Sequence, residues 1–182
     1  MIISDCEDTV RASTIAGGEG NQIRRTSYAT IAGGSGNQIL FYSDGATIAG
    51  GMNNFISHYS PLALIAGGSA NSIGRDCGNS VIGGGSRNTI TDRPSYSTSF
   101  ATVSGGQSNT VTGIYGTISG GVSNSATNNA FAAGTRAKAI HSGAFVWASG
   151  NTNDYPSTNT KDRKSTRLNS SHQSTSRMPS SA

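Results

Sequence analysis

The residues that could do chemistry are few and far apart. Cys6 and Cys77 lie 71 positions from each other with no Cys-x-x-Cys pair, which removes the ligand spacing of a zinc ribbon and of a dithiol redox site. His58, His141 and His172 are isolated and read as surface or turn side chains rather than metal ligands. Gly18-Glu19-Gly20 and Gly34-Ser35-Gly36 begin like a dinucleotide-binding loop, but no third glycine and no opening helix follow. Gly83-Gly84-Gly85-Ser86-Arg87 lacks the Lys-Ser/Thr pair that completes a phosphate-binding loop and reads as a turn. Calcium-binding glycine repeats carry aspartate after their glycines, and none stands there. The eight acids of residues 1–160 form no visible pair of the kind that cleaves glycosidic bonds. No catalytic residue, cofactor or metal is expected, and the chain reads as a non-enzyme.

What must be positioned is therefore a scaffold. Gly, Ser, Thr and Asn number 25, 29, 19 and 15, together 88 of 182 residues, a composition that forms helices poorly. No apolar run approaches the length of a membrane span, so this segment is expected not to insert into a membrane, and no secretory signal is visible at its start. Residues 1–160 carry eight basic and eight acidic side chains, so the net charge of +4 comes wholly from 161–182. A neutral body with a basic end argues against a nucleic-acid partner, which needs a folded positive face.

The body repeats. The ten residues 14–23 recur almost unchanged at 30–39 and 47–56, then degenerate through 64–73, 81–90, 102–111, 117–126, 131–140 and 145 onward. The first glycine of successive copies falls at Gly17, Gly33, Gly50, Gly67, Gly84, Gly105, Gly120 and Gly134. A period of 14–21 residues punctuated by Gly-Gly and Asn belongs to a parallel β-solenoid rather than to a helical repeat. One column is apolar: Ile15, Ile31, Ile48, Ile65, Ile82, Val103, Ile118, Ala132 and Val146. Two residues before it stands a small column that includes Ala29, Ala46, Ala63 and Ala101; strand alternation points both columns inward. Eight residues after it comes a second apolar column: Ile23, Ile39, Ile56, Ile73, Ile90, Val111, Ala126 and Ile140. Each coil is thus expected to hold two short strands joined by Gly-Gly-x-x-Asn. Asn21, Asn37, Asn54, Asn71, Asn88, Asn109 and Asn124 fall in one column, where stacking at roughly 4.8 Å puts their amides within reach of a hydrogen-bonded ladder. About nine coils at that spacing make a rod of roughly 43 Å.

The motifs Asn79-Ser80-Val81-Ile82-Gly83-Gly84 and Ala130-Phe131-Ala132-Ala133-Gly134-Thr135-Arg136-Ala137-Lys138-Ala139 resemble the head repeats of trimeric autotransporter adhesins of the YadA type, over about residues 2–149. They are also similar to repeats of phage tail fibres and of bacterial proteins that end in an intramolecular chaperone domain, and Gly143-Ala144-Phe145-Val146-Trp147-Ala148 resembles the close of the head in that second group. The resemblance implies a left-handed parallel β-roll that forms a homotrimer, sits outside the cell or on a virion fibre, and attaches to a host-surface or matrix ligand. One observation of the residues points the same way: the column before the core Ile should face out of the coil, yet it contains Leu64, Val81, Phe131 and Phe145. An ice-binding solenoid is the other class the Thr column (Thr14, Thr30, Thr47) brings to mind, and a fragment of a processing enzyme whose catalytic part lies further on is a third.

The variable segments between copies hold most of the aromatics: Tyr28, Phe41, Tyr42, Tyr59, Tyr96, Phe100 and Tyr115. They are expected either to seal the coil corners or to form contacts. Asp92-Arg93-Pro94-Ser95-Tyr96, with Phe100, lies in the longest insertion and is the candidate contact loop. The domain reading is 1–149 for the roll, 150–164 for a linker, and 165–182 for a disordered tail that resembles translated adaptor read-through.

Overall fold

Each repeat crosses the molecule twice, because its glycines leave only short stretches with extended, β-branched backbone. The computed structural model describes residues 2–3, 11–91, 100–149 and 155–157. Among these residues all regular structure is β, and every pairing between strands is parallel. One wall is a nine-stranded sheet built from β2 (Thr14–Ile15), β4 (Thr30–Ile31), β6 (Thr47–Ile48), β8 (Leu64–Ile65), β10 (Val81–Ile82), β12 (Thr102–Val103), β14 (Thr117–Val122), β16 (Phe131–Thr135) and β18 (Phe145–Ser149). The facing wall has ten strands: β1 (Ile2–Ile3), β3 (Gln22–Arg24), β5 (Gln38–Ile39), β7 (Phe55–Ile56), β9 (Ser72–Ile73), β11 (Thr89–Ile90), β13 (Thr110–Val111), β15 (Ser125–Ala126), β17 (Ala137–Ala139) and β19 (Tyr155–Pro156). Even-numbered strands pair only with even and odd only with odd, which is the connectivity of a solenoid; nine rungs of the even wall are joined by eight turns. β19 falls inside 150–164, the stretch expected as a linker, and adds a rung to the odd wall through Ala137↔Tyr155.

The inside and outside of each coil follow the expected alternation. From β4 to β13 the two-residue strands place their first residue half-exposed and their second buried. Ile31, Ile48, Ile65, Ile82, Val103 and Ile118 of the even wall face Ile23, Ile39, Ile56, Ile73, Ile90 and Val111 of the odd wall, all at 0% exposure. Ile15, on the first even rung, packs against this core while remaining partly exposed. The small column (Ala29, Ala46, Ala63, Ala101, Ala130, Ala144) is buried where the walls converge. Each buried Ile contributes roughly 1.5–3 kcal/mol, so the core is a double file of side chains, each replaceable only at a cost of that order.

The turn between the walls is itself laddered. Glu19, Ser35, Met52, Ser69, Ser86, Gln107 and Val122 form successive parallel bridges, so each coil carries a third, one-residue rung in addition to the two strands expected. The second glycine of each pair makes this turn possible. Gly34 has φ +85°, and a Cβ there would collide with the carbonyl of Gly51 on the next coil; at the first glycine, Gly33, a Cβ would meet nothing.

One expected column ends differently. Between β14 and β16 the register shifts, with Ile118 opposite Ala132 but Gly121 opposite Gly134. The later coil is one residue shorter there, so Gly134 stands in the second-glycine column rather than the first. Counting eight residues from Ala132 to Ile140 therefore overshoots: Ala139 lies opposite Ala126, and Ile140 is 51% exposed.

Candidate functional site

The asparagine column is a continuous buried ladder, but most of its links run through the backbone, and the amide-to-amide contacts expected occur at two of its steps. Each side chain serves backbone on its own coil and on the next. Asn54 Nδ2 donates to the carbonyls of Gly50 and Gly68, both at 3.0 Å, and its Oδ1 accepts the N–H of Asn71 at 3.0 Å. The same pattern runs from Asn21 to Asn124. Asn109 and Asn124 also donate to the previous amide oxygen, at 3.1 and 3.0 Å. After the register shift Ala137 takes the position, and its N–H donates to Asn124 Oδ1 at 2.9 Å. The first glycines (Gly17, Gly33, Gly50, Gly67, Gly84, Gly105 and Gly120) supply a carbonyl to the ladder.

A second ladder at the opposite corner escaped sequence reasoning. Thr26, Ser43 and Ser60 are buried, and each hydroxyl accepts the N–H of the next member while donating to a carbonyl one coil on. Cys77 is the fourth member; its N–H donates to Ser60 Oγ at 3.1 Å. The spacing of 17 between these residues was the available signal. Cys77 is thus part of the packing, and Cys6 lies outside the described residues.

The histidines serve this scaffold too. His58 stacks on Phe41, centroids 4.9 Å apart, and its Nδ1 lies 3.2 Å from Ser57 Oγ. His141 Nδ1 lies 2.7 Å from Ser157 Oγ, on the coil that β19 extends. Among the described residues no three His, Cys, Asp or Glu side chains gather at one point.

Two surfaces remain for recognition. The first is the outward face of the even wall. In each of its nine rungs neither the residue before the buried aliphatic nor the residue after it is charged. Over most of its length it is Thr, Ala, Gly and Ser, and at the last two rungs it becomes aromatic. Phe131 and Phe145 stack at 4.8 Å with planes 3° apart, Phe145 is 40% exposed, and Trp147 beside it is 57% exposed.

The second is the corner that leads from the odd wall back to the even wall. The residue just before the small column has positive φ in every coil: Ala12, Tyr28, Gly45, Leu62, Asn79, Phe100, Tyr115, Asn129 and Gly143. Arg25, Tyr42, Tyr59 and Asp76 form a neighbouring positive-φ column. Left-handed backbone costs a non-glycine residue roughly 1–3 kcal/mol, so Gly and Asn are the expected occupants. Aromatic or large aliphatic side chains nevertheless hold six of these places, and Arg25 a seventh. Tyr28, Tyr42, Tyr59, Leu62, Phe100 and Tyr115 are 43–63% exposed, so they do not seal the corner. Tyr42 stacks on Tyr59 at 5.1 Å and Phe100 on Tyr115 at 5.4 Å. Of the candidate contact loop, Phe100 belongs to this edge, whereas Arg93 and Tyr96 lie outside the described residues.

No helix among the described residues is long and apolar enough to cross a membrane. No family model matches the chain, and no curated protein matches it.

Proposed function

We propose that this chain is a structural and adhesive element, the head or spacer of a trimeric fibre displayed at a cell or virion surface, and that it works without catalysis. The observation that carries the reading is the even wall. Its outward residues are uncharged across nine rungs, and it ends in the ring stack of Phe131 and Phe145 with the exposed Trp147 beside it. Exposed aromatic clusters of this kind mark association sites. A wall of one solenoid laid against those of its symmetry mates buries all three rings without opening any coil, and closed rotational symmetry gives every subunit the same cover. The head repeats that residues 79–84 and 130–139 resemble supply the number three, and they also supply the attachment role and the external location.

Native mass spectrometry of the parent and of Phe131→Asp/Phe145→Asp tests this. The parent should fly as a trimer, and the variant as a monomer with its β circular dichroism retained. An oligomer that survives both substitutions would overturn the assignment of the even wall.

Ice binding is a second reading because Thr89-Ile90-Thr91 and Thr110-Val111-Thr112 put outward Thr-x-Thr pairs on adjacent odd-wall rungs. The outward Thr column of the even wall is broken by Leu64, Val81, Phe131 and Phe145, which leaves no long regular array. Thermal hysteresis of the purified protein separates the two readings.

A further inference from the structure

The aromatic edge at the odd-to-even corner is held against the preference of its own backbone. Tyr28, Tyr42, Tyr59, Leu62, Phe100 and Tyr115 adopt φ between 56° and 60°. The column of Tyr28, Leu62, Phe100 and Tyr115 accepts Gly45, Asn79, Asn129 and Gly143 in other coils, and that of Tyr42 and Tyr59 accepts Asp76, so the turn itself does not require a large side chain. The exposure of these groups removes core packing as the reason for their presence. Bulky residues kept exposed in a strained conformation point to recognition.

The chemistry of the edge narrows the partner. Tyr42 and Tyr59 face one another across successive coils, as do Phe100 and Tyr115, so each ring has one face covered by its neighbour. The exposed remainder of a tyrosine offers an apolar ring surface and a phenol hydroxyl, which can donate a hydrogen bond. Guanidinium groups flank the rings at both ends of the Phe41–Tyr59 stretch. Arg24 and Arg25 lie 5.5 Å from the Phe41 centroid, and Arg75 lies 5.2 Å from that of Tyr59. Asp76 lies 3.3 Å from Arg75 and Asp44 accepts the N–H of Ser27, so among the described residues of this corner Arg11, Arg24, Arg25 and Arg75 stand beside two acids. The edge is one or two residues wide and follows the coils. That is narrow for a folded protein partner, whose stable interface needs about 800 Å² on each side. It suits an extended, negatively charged chain that runs along the coils from Arg24 and Arg25 past the rings to Arg75.

We infer that this edge binds a linear acidic polysaccharide, with Arg24, Arg25 and Arg75 pairing its carboxylate or sulfate groups and the tyrosine hydroxyls bonding its sugar oxygens. The inference rests on the attachment reading for the purpose of such binding, and it names that reading's ligand class.

The test is binding of the full chain to heparin and to polygalacturonate, with neutral dextran as control, across a salt series. Both or either acidic polymer should bind, more weakly at higher salt, and dextran should not. Tyr42→Gly/Tyr59→Gly/Tyr115→Gly should lose at least about tenfold in affinity, as removal of aromatic contact residues does. Its melting temperature should stay near the parent's because glycine fits the positive φ. If that variant fails to fold, Arg24→Gln/Arg75→Gln decides: weaker binding with a shallower salt dependence supports the site. Binding of neither acidic polymer, equal binding of dextran, or affinity unchanged in the folded variants overturns it. Sedimentation of the same samples keeps the two readings apart. A monomer that binds leaves the edge standing without the trimer, and a trimer that binds nothing does the reverse.

Discussion

Replacing Asn54 by alanine isolates what the buried ladder contributes. The side chain is fully buried and makes three hydrogen bonds. Its loss leaves the Asn71 N–H inside the protein without that acceptor, at a cost of about 1–3 kcal/mol. The carbonyl of Gly68 keeps the N–H of Met52 at 2.9 Å, so the two donated bonds cost only their net value, about 0.5–1.5 kcal/mol each. The expected destabilisation is therefore about 2–6 kcal/mol. For a domain of this size that lowers the melting temperature by roughly 4–24 °C, read by circular dichroism near 218 nm or by calorimetry. Asn54→Asp should be worse than alanine, because it turns a carboxylate oxygen toward the carbonyls of Gly50 and Gly68. Asn53→Gly is the control: Asn53 is exposed at φ 55°, and glycine there should be neutral within about 0.5 kcal/mol. Equal melting of Asn54→Ala and Asn53→Gly would refute a stabilising role for the ladder.

Ile48→Asn should cost several kcal/mol, because it puts an unpartnered amide where exposure is 0%, while Thr47→Ser, on the outer face, should change the melting temperature little; reversed costs would mean the inside and outside of the even wall are misassigned. Gly34→Ala should prevent or severely weaken folding, because its Cβ meets the Gly51 carbonyl at positive φ, whereas Gly33→Ala should be mild; refolding yield and melting temperature of the pair compare the two glycine columns.

The two inward columns were legible because a solenoid repeats the same environment, and a residue type that recurs at one place in seven coils declares its burial. The reading failed where periodicity was broken by a single residue. Counting carried the second apolar column to Ile140, and the turn shortened by one residue between Ala132 and Gly134 moved that place to Ala139. The asparagine ladder was foreseen as stacking of like side chains. Its real bonds go to glycine carbonyls and the next backbone N–H, because a buried amide first satisfies the main chain beside it. The Thr26–Ser43–Ser60–Cys77 corner was missed since hydroxyls and a thiol there share a place without sharing a name. The exposed edge was harder still. Tyr28, Leu62 and Phe100 share their column with glycine and asparagine, and nothing in their types announces positive φ.

The most direct test of the account is the mass of the purified chain in solution. Sedimentation equilibrium of the parent sequence at micromolar concentrations should fit a single species of three times the chain mass of 18.5 kDa, with no monomer phase as the protein is diluted through that range. A stable, monodisperse monomer across the same range would contradict it, and would leave a solitary solenoid whose even wall and aromatic rungs face water.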